Sequence, residues 1–222
     1  MLNRVLRPLL AAGLALAFLC GPVPALEPSN LYPHKQELKA YVDSGSYVRD
    51  VATVAQQANK YLVKRIARGA KPGQKLAVVF DIDETTLSNL SHILANDFGY
   101  VPKTWDAWVA EGRAPAILSV QAVYETAVRA KVDVFFITGR KERDRPGTEK
   151  NLREVGYETW TKILYRPSEF AETTRAFKID MRRKLMADGY VIIANIGDQD
   201  SDLAGGYAER YFKLPNPFYI TK

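Results

Sequence analysis

KLAVVFDIDETTLSN, residues 75–89, is the stretch from which the rest of the chain can be read. Residues 76–80 are an unbroken apolar run with Val78 and Val79 near its centre. Such a run predicts a strand covered on both faces, as in a parallel sheet. Asp81, Asp83 and Glu84 follow within four residues. Unpartnered charge inside a strand is costly, so these carboxylates belong where the strand leaves the sheet. In open α/β sheets that carboxyl edge is where ligands bind. Alternation along an extended chain turns Asp81 and Asp83 to the same side. Their repulsion calls for a positive partner, and a divalent cation is the obvious candidate. Taken alone, the motif reads first as an acidic turn after a strand, with Glu84 a turn residue.

On the amino-terminal side, residues 47–68 carry Val48, Val51, Val54, Ala55, Ala58, Leu62 and Ile66 at helical spacing. A shorter helix is expected near 36–42, and Pro72-Gly73 ends the region. Residues 26–73 thus form an amino-terminal helical appendage to a core spanning 74–222. On the carboxyl side, residues 90–116 form a small cap insertion containing Phe98, Tyr100, Trp105 and Trp108, broken by Gly99, Pro102, Gly112 and Pro115. These rings either stack against a ligand or pack the cap itself. Beyond the insertion come a helix over 119–130, a strand over 132–138, a charged loop over 142–145 and a helix over 148–155. A strand over 161–165, a helix over 173–188, a strand over 190–196 and a short strand over 211–214 complete the series. The alternation predicts an α/β fold, a Rossmann-like parallel sheet with helices on both faces.

Hydrophobic residues make up 47% of the 222 and charged residues 25%, which excludes a disordered chain. The opening differs from the rest. Arg4 and Arg7 precede a short apolar segment, and Val23 and Ala25 fit a small-x-small cleavage pattern. Residues 1–25 read as a signal peptide cut after Ala25, so a periplasmic or secreted location is expected. Cys20, the sole cysteine, leaves with it; Phe18 and Leu19 before it argue against a lipid-anchored form. The mature chain then has no disulfide and no stable membrane anchor. Its formal charge falls from +6 to +4 as Arg4 and Arg7 leave, too little to imply a nucleic-acid polymer as partner. His34 and His92 lack zinc-ligand spacing.

Three predicted strands end in reactive residues: Asp81-Ile82-Asp83, Thr138-Gly139-Arg140, and Gly197-Asp198-Gln199-Asp200-Ser201-Asp202. In a parallel sheet these ends share one edge. Lys178 lies on the helix before the last of them; Lys162, on the third strand, is the alternative lysine and fits the spacing less well. Asp200 reads as a turn or surface residue. The basic run 140–153 either steers anions or is simply solvated.

The set Asp81-Asp83-Thr85, Thr138, Lys178, Asp198 and Asp202, in this order and at these strand ends, resembles the haloacid dehalogenase (HAD) superfamily. Within it, FDIDETTLSN, FFITGR and IGDQDSD are similar to acid phosphatase subfamily IIIB, the class B/C-like secreted acid phosphatases. The resemblance covers roughly residues 75–214. It implies a HAD-like fold and a Mg2+-dependent phosphomonoesterase acting on small phosphate monoesters, nucleoside monophosphates among them, through an aspartyl-phosphate intermediate. Asp81 is then nucleophile and metal ligand, and Asp83 is the proton shuttle, binding metal through its backbone carbonyl. Asp198 is the third metal ligand. Asp202 supports the metal through water or steadies Lys178. Thr138 and the Gly139 amide bind phosphate oxygens, and Lys178 offsets transferring charge. The alternatives are a phosphotransferase and a non-catalytic storage or binding protein of the same fold; the presence of Asp81 speaks against the second.

Overall fold

The computed structural model describes residues 27–221. The leader and its cleavage point lie outside the described residues. In chain order the elements are α1 (Leu31–Asp43), α2 (Ser46–Ile66), β1 (Lys75–Phe80), α3 (Leu90–Ala95), α4 (Pro102–Glu111), α5 (Leu118–Arg129) and β2 (Asp133–Lys141). A 3₁₀ turn (Glu142–Asp144) leads to α6 (Arg145–Glu154), β3 (Lys162–Arg166), α7 (Thr174–Ala187), β4 (Tyr190–Gly197), α8 (Asp200–Leu203) and β5 (Tyr211–Lys213). The strands form one parallel sheet in the order β3-β2-β1-β4-β5.

The apolar runs become strands because the sheet is covered on both faces. Ala77 and Val79 of β1 join Phe135, Ile137 and Ile192 under α7, which adds Phe177 and Leu185. Val78 and Phe80 join Val134, Phe136 and Ile193 on the other face, with α2 and α5. One irregularity interrupts this period-two pattern: Ala77 pairs with Ile192 but Val78 pairs with Ala194, a bulge in β4.

Helix α2 supplies Tyr47, Val51, Ala55, Ala58 and Leu62 to the larger core. The amino-terminal helical segment is therefore built into the sheet's covering layer. Val48, counted with the apolar face in the sequence, is 64% exposed. Helix α1 is longer than the expected 36–42.

The insertion folds into two helices. Pro102 occupies the first turn of α4, and Gly112 ends it in a left-handed conformation at φ 63°. Residues 142–145 were expected as loop; they form the 3₁₀ turn and the start of α6, because Pro146 suits a first turn and Arg145 pairs with Glu142 and Glu149. Strand β2 also runs past Thr138, with Lys141 pairing Arg166 after a register shift. Helices α4 and α6 meet backbone to backbone at Gly147, where a Cβ would stand 2.2 Å from the Val109 carbonyl oxygen. Among the described residues no helix is long and apolar enough to cross a membrane.

The last turn of α2 is tied to the chain before β5 by a forked ion pair. Arg65 Nε and Nη2 donate to the Glu209 carboxylate at 2.6 and 2.9 Å, and Tyr61 Oη adds a third bond at 3.2 Å. The Arg65 hydrogen bonds hold the Glu209 carboxyl below its ordinary value of 4.5, against a smaller opposing push from burial. A lowered carboxyl stabilises the fold fully above the ordinary value and loses that contribution as pH falls through the folded value. Glu209→Gln should cost about 0.5–1 kcal/mol near neutrality. In urea unfolding followed against pH, the gap from the native protein should close in acid.

Candidate active site

β1 and β4 are neighbours from which the sheet grows in opposite directions, β2 and β3 one way and β5 the other. Their carboxyl ends flank the topological switch point, the usual ligand crevice of such sheets. Asp81 follows β1 and Asp198 follows β4, and Asp81 N donates to the Ile196 carbonyl at 3.0 Å. The chain then turns sharply. The Ile82 carbonyl accepts from the amides of Thr85, Thr86 and Leu87, and Glu84 takes φ 53°. Thr86 Oγ1 donates back to the Asp81 carbonyl at 2.5 Å.

Asp81, Asp198 and Asp202 are buried together, each offering an oxygen within 4.8 Å of the others'. Lys178, itself buried, donates from Nζ to Asp81 Oδ1 and, at 2.5 Å, to Asp202 Oδ1. The other oxygen of Asp202 accepts from the Gln199 amide at 2.8 Å. Gly197 makes this fold-back possible: a Cβ there would stand 2.4 Å from that of Asp202. Asp198 is held by donors from several segments. Its Oδ2 accepts from Gln199 Nε2 at 2.7 Å and Asn216 Nδ2 at 2.6 Å, and its Oδ1 from Thr85 Oγ1 at 3.2 Å.

Burial pushes the Asp198 carboxyl up to about 7, with the Asp202 charge adding to it. Burial likewise lifts Asp81 well above the usual carboxylate range; Lys178 pulls it back, while Asp202, Asp198 and Asp83 push it further. Burial alone would lower Lys178, but Asp202 and Asp81 outweigh it and keep the ammonium charged. Three buried carboxylates thus share one ammonium. That surplus of negative charge and an all-oxygen donor set fit a hard divalent cation.

The Asp83 carboxylate stands outside this cluster. It pairs with Arg140, whose Nη2 lies 2.7 Å from Oδ1, and with Asn89. Arg140 is 4% exposed, so the solvated reading of the basic run does not hold for it, and its place is at the reactive strand end. Alternation from Thr138 was the signal for it. Four further cations of that run are ion-paired: Arg143 with Asp106, Arg145 and Arg153 with Glu149, Lys150 with Glu154. Gly139 lines the cavity. Thr138 is fully buried beside it, its Oγ1 accepting from the Arg140 amide at 3.0 Å. Lys162 begins β3 at the opposite sheet edge and is exposed. Asp200 is exposed at the start of α8.

Glu84 is a turn residue, as expected, but only 1% exposed. Its carboxylate accepts from Tyr219 Oη and Asn89 N, both at 2.6 Å. Burial pushes it up to about 7, with Asp83 adding. Asn89 closes the FDIDETTLSN motif but carried no role there, and neither Asn216 nor Tyr219 was marked by any motif or spacing in the sequence.

A cavity of about 470 Å³ opens above the cluster. Phe98, Tyr100 and Trp105 of the insertion line one side, and Tyr219, Ile220 and Thr221 another. Trp108 instead stacks on His92, with ring centroids 5.6 Å apart, and donates to Asn89 Oδ1 at 2.8 Å. The insertion's rings therefore divide between lining the cavity and packing. His92 both packs and lines the cavity, and burial lowers its pKa.

The family described as HAD superfamily, subfamily IIIB (Acid phosphatase), matches residues 23–222. The chain is 37% identical over 191 residues to the Stem 28 kDa glycoprotein of Glycine max, covering 83% of this chain and 73% of that one. It is 34% identical over 206 residues to Acid phosphatase 1 of Solanum lycopersicum, covering 87% and 80%. Among solved structures, the class C acid phosphatase from Bacillus anthracis matches with a TM-score of 0.70 at 25% identity, over 84% of this chain and 86% of that one. With the carboxylates and lysine of its motifs gathered at the switch point, the chain belongs to the acid phosphatases of HAD subfamily IIIB.

Proposed function

We propose that the protein is a secreted or periplasmic Mg2+-dependent acid phosphatase that works through an aspartyl-phosphate intermediate, cut from its leader after Ala25. The observation that carries the mechanism is the buried contact of Lys178 with Asp81 at the floor of an open cavity. A side-chain oxygen of Asp81 attacks phosphorus as the ester P–O bond breaks, and Asp83 gives its proton to the departing alcohol. Asp83 then takes a proton from water as that water attacks the phosphorus, releasing phosphate and freeing Asp81. Lys178 offsets the charge that builds on the transferring group, while Thr138 and the Gly139 amide bind its oxygens. Asp81, Asp198 and the Asp83 backbone carbonyl would hold Mg2+, which when bound neutralises charge so that an anionic phosphate can approach a carboxylate. Asp202 steadies Lys178. Aromatic walls beside this floor suit small aryl or nucleoside monophosphates.

The test is phosphate release from an aryl phosphate. Mg2+ should support turnover, EDTA should abolish it, and added Mg2+ should restore it. Asp81→Asn should fold normally and lose about 10⁴-fold in kcat. Full activity in that variant would remove Asp81 from the nucleophile's role. No turnover by the native protein with Mg2+ would favour the non-catalytic binding-protein reading. An alcohol acceptor separates transfer from hydrolysis: phosphotransfer releases aryl alcohol faster than phosphate.

Asn216 and Gln199 occupy one oxygen of Asp198, and the other, which accepts a single longer bond from Thr85 Oγ1 at 3.2 Å, keeps a lone pair for metal. Partners that orient a metal ligand affect affinity strongly, so Asn216→Ala should weaken Mg2+ binding about 10-fold by calorimetry. Unchanged affinity would exclude that orienting role.

A further inference from the structure

Asp83 needs one carboxylate oxygen free to carry the proton, and the two oxygens are held very differently. Oδ1 accepts from Arg140 Nη2 at 2.7 Å, Arg140 Nε at 3.1 Å and Asn89 Nδ2 at 2.9 Å. Oδ2 meets only Arg140 Nε, at 3.3 Å. A carboxylate oxygen has two lone pairs in its plane; Arg140 Nη2 and Asn89 Nδ2 fill those of Oδ1, while the Arg140 Nε–H is shared between the two oxygens, so Oδ1 has no room for a proton. The proton therefore travels on Oδ2.

Both holders are braced. Arg140 donates from Nη1 to Thr148 Oγ1 at 3.0 Å, and its guanidinium lies 5.6 Å from the ring centre of Trp105. Asn89 is fully buried, and its Oδ1 accepts from Trp108 Nε1. Trp105 and Trp108 are three residues apart on α4 and so share a face. Arg140 does not line the cavity, while Asp83 does. The guanidinium's hydrogen bonds go to Asp83 and to Thr148.

We propose that Arg140 and Asn89 are positioning residues that saturate Oδ1 of Asp83 and present Oδ2 to the leaving-group oxygen, with α4 of the insertion buttressing both through Trp105 and Trp108. This rests on the acid–base role proposed above for Asp83. A misplaced acid matters in proportion to how badly the leaving group needs a proton. p-Nitrophenolate departs without one, whereas an alkoxide does not. kcat/KM covers the steps up to departure of the leaving group and is insensitive to the later hydrolysis.

The experiment measures kcat/KM for p-nitrophenyl phosphate and glycerol 2-phosphate in the native protein, R140Q, R140K and N89A, with inhibition by inorganic phosphate alongside. R140Q should lose about 100-fold on glycerol 2-phosphate and no more than about 3-fold on p-nitrophenyl phosphate, with phosphate inhibition unchanged. R140K, which keeps the charge but not the fork, and N89A should show the same selectivity with smaller losses. If R140Q does not fold, those two variants decide. Equal losses on both substrates overturn the proposal: with weakened phosphate inhibition Arg140 binds the phosphoryl group, and without it the role is structural. A native protein inactive on both substrates refutes the phosphatase reading itself, a result separable from either of these.

Discussion

Lys178 extends from α7 to the carboxylates of Asp81, after β1, and Asp202, in α8. A buried ammonium is tolerable only where carboxylates surround it, and buried carboxylates only where cations do. The contact therefore sets the spacing of a helix and two strand ends at once. Removing one member of a buried pair typically costs about 3–5 kcal/mol, because the survivor is left uncompensated. Here the cluster keeps more carboxylate than ammonium, an imbalance that fits a divalent cation.

The loop after β1 is the second point of convergence. Asp81 looks to Lys178, Asp83 to Arg140, and Glu84 to Tyr219 and Asn89. Three adjoining carboxylates thus have partners from α7, β2 and the segment beyond β5. The insertion joins the same network through Trp108 and Asn89 and packs on α6 through the close approach at Gly147. Phe98 of the insertion stacks on Phe218, closing the ring of contacts around the cavity. Cap, core and tail are therefore mechanically one body at the site, although they lie far apart in the chain.

Much of this was legible in advance. Continuous apolar runs located β1, β2 and β4, and a strand buried on both faces cannot hold charge inside, so Asp81 and Asp198 had to sit at the edge. Parallel order then brought those ends together without knowledge of any contact. Arg140 was only half legible: it stood at a reactive strand end beside Thr138, but it also opened a basic run that read equally as solvated. Pro146 marked the start of α6, yet the neighbouring charges read as loop because ion pairs within a helix surface leave no apolar period.

By itself, the amino-acid sequence determined the parallel α/β sheet and the residues at its reactive edge, because strand burial and strand-end chemistry are local consequences of composition and order. Only the tertiary structure decided which partner each carboxylate has. Lys178, already preferred to Lys162 on spacing, meets Asp81 and Asp202, and Asn216 reaches Asp198 from beyond β5. Hydrogen bonds of 2.6–2.9 Å between distant segments depend on side-chain direction at both ends, and no periodicity in the chain records that.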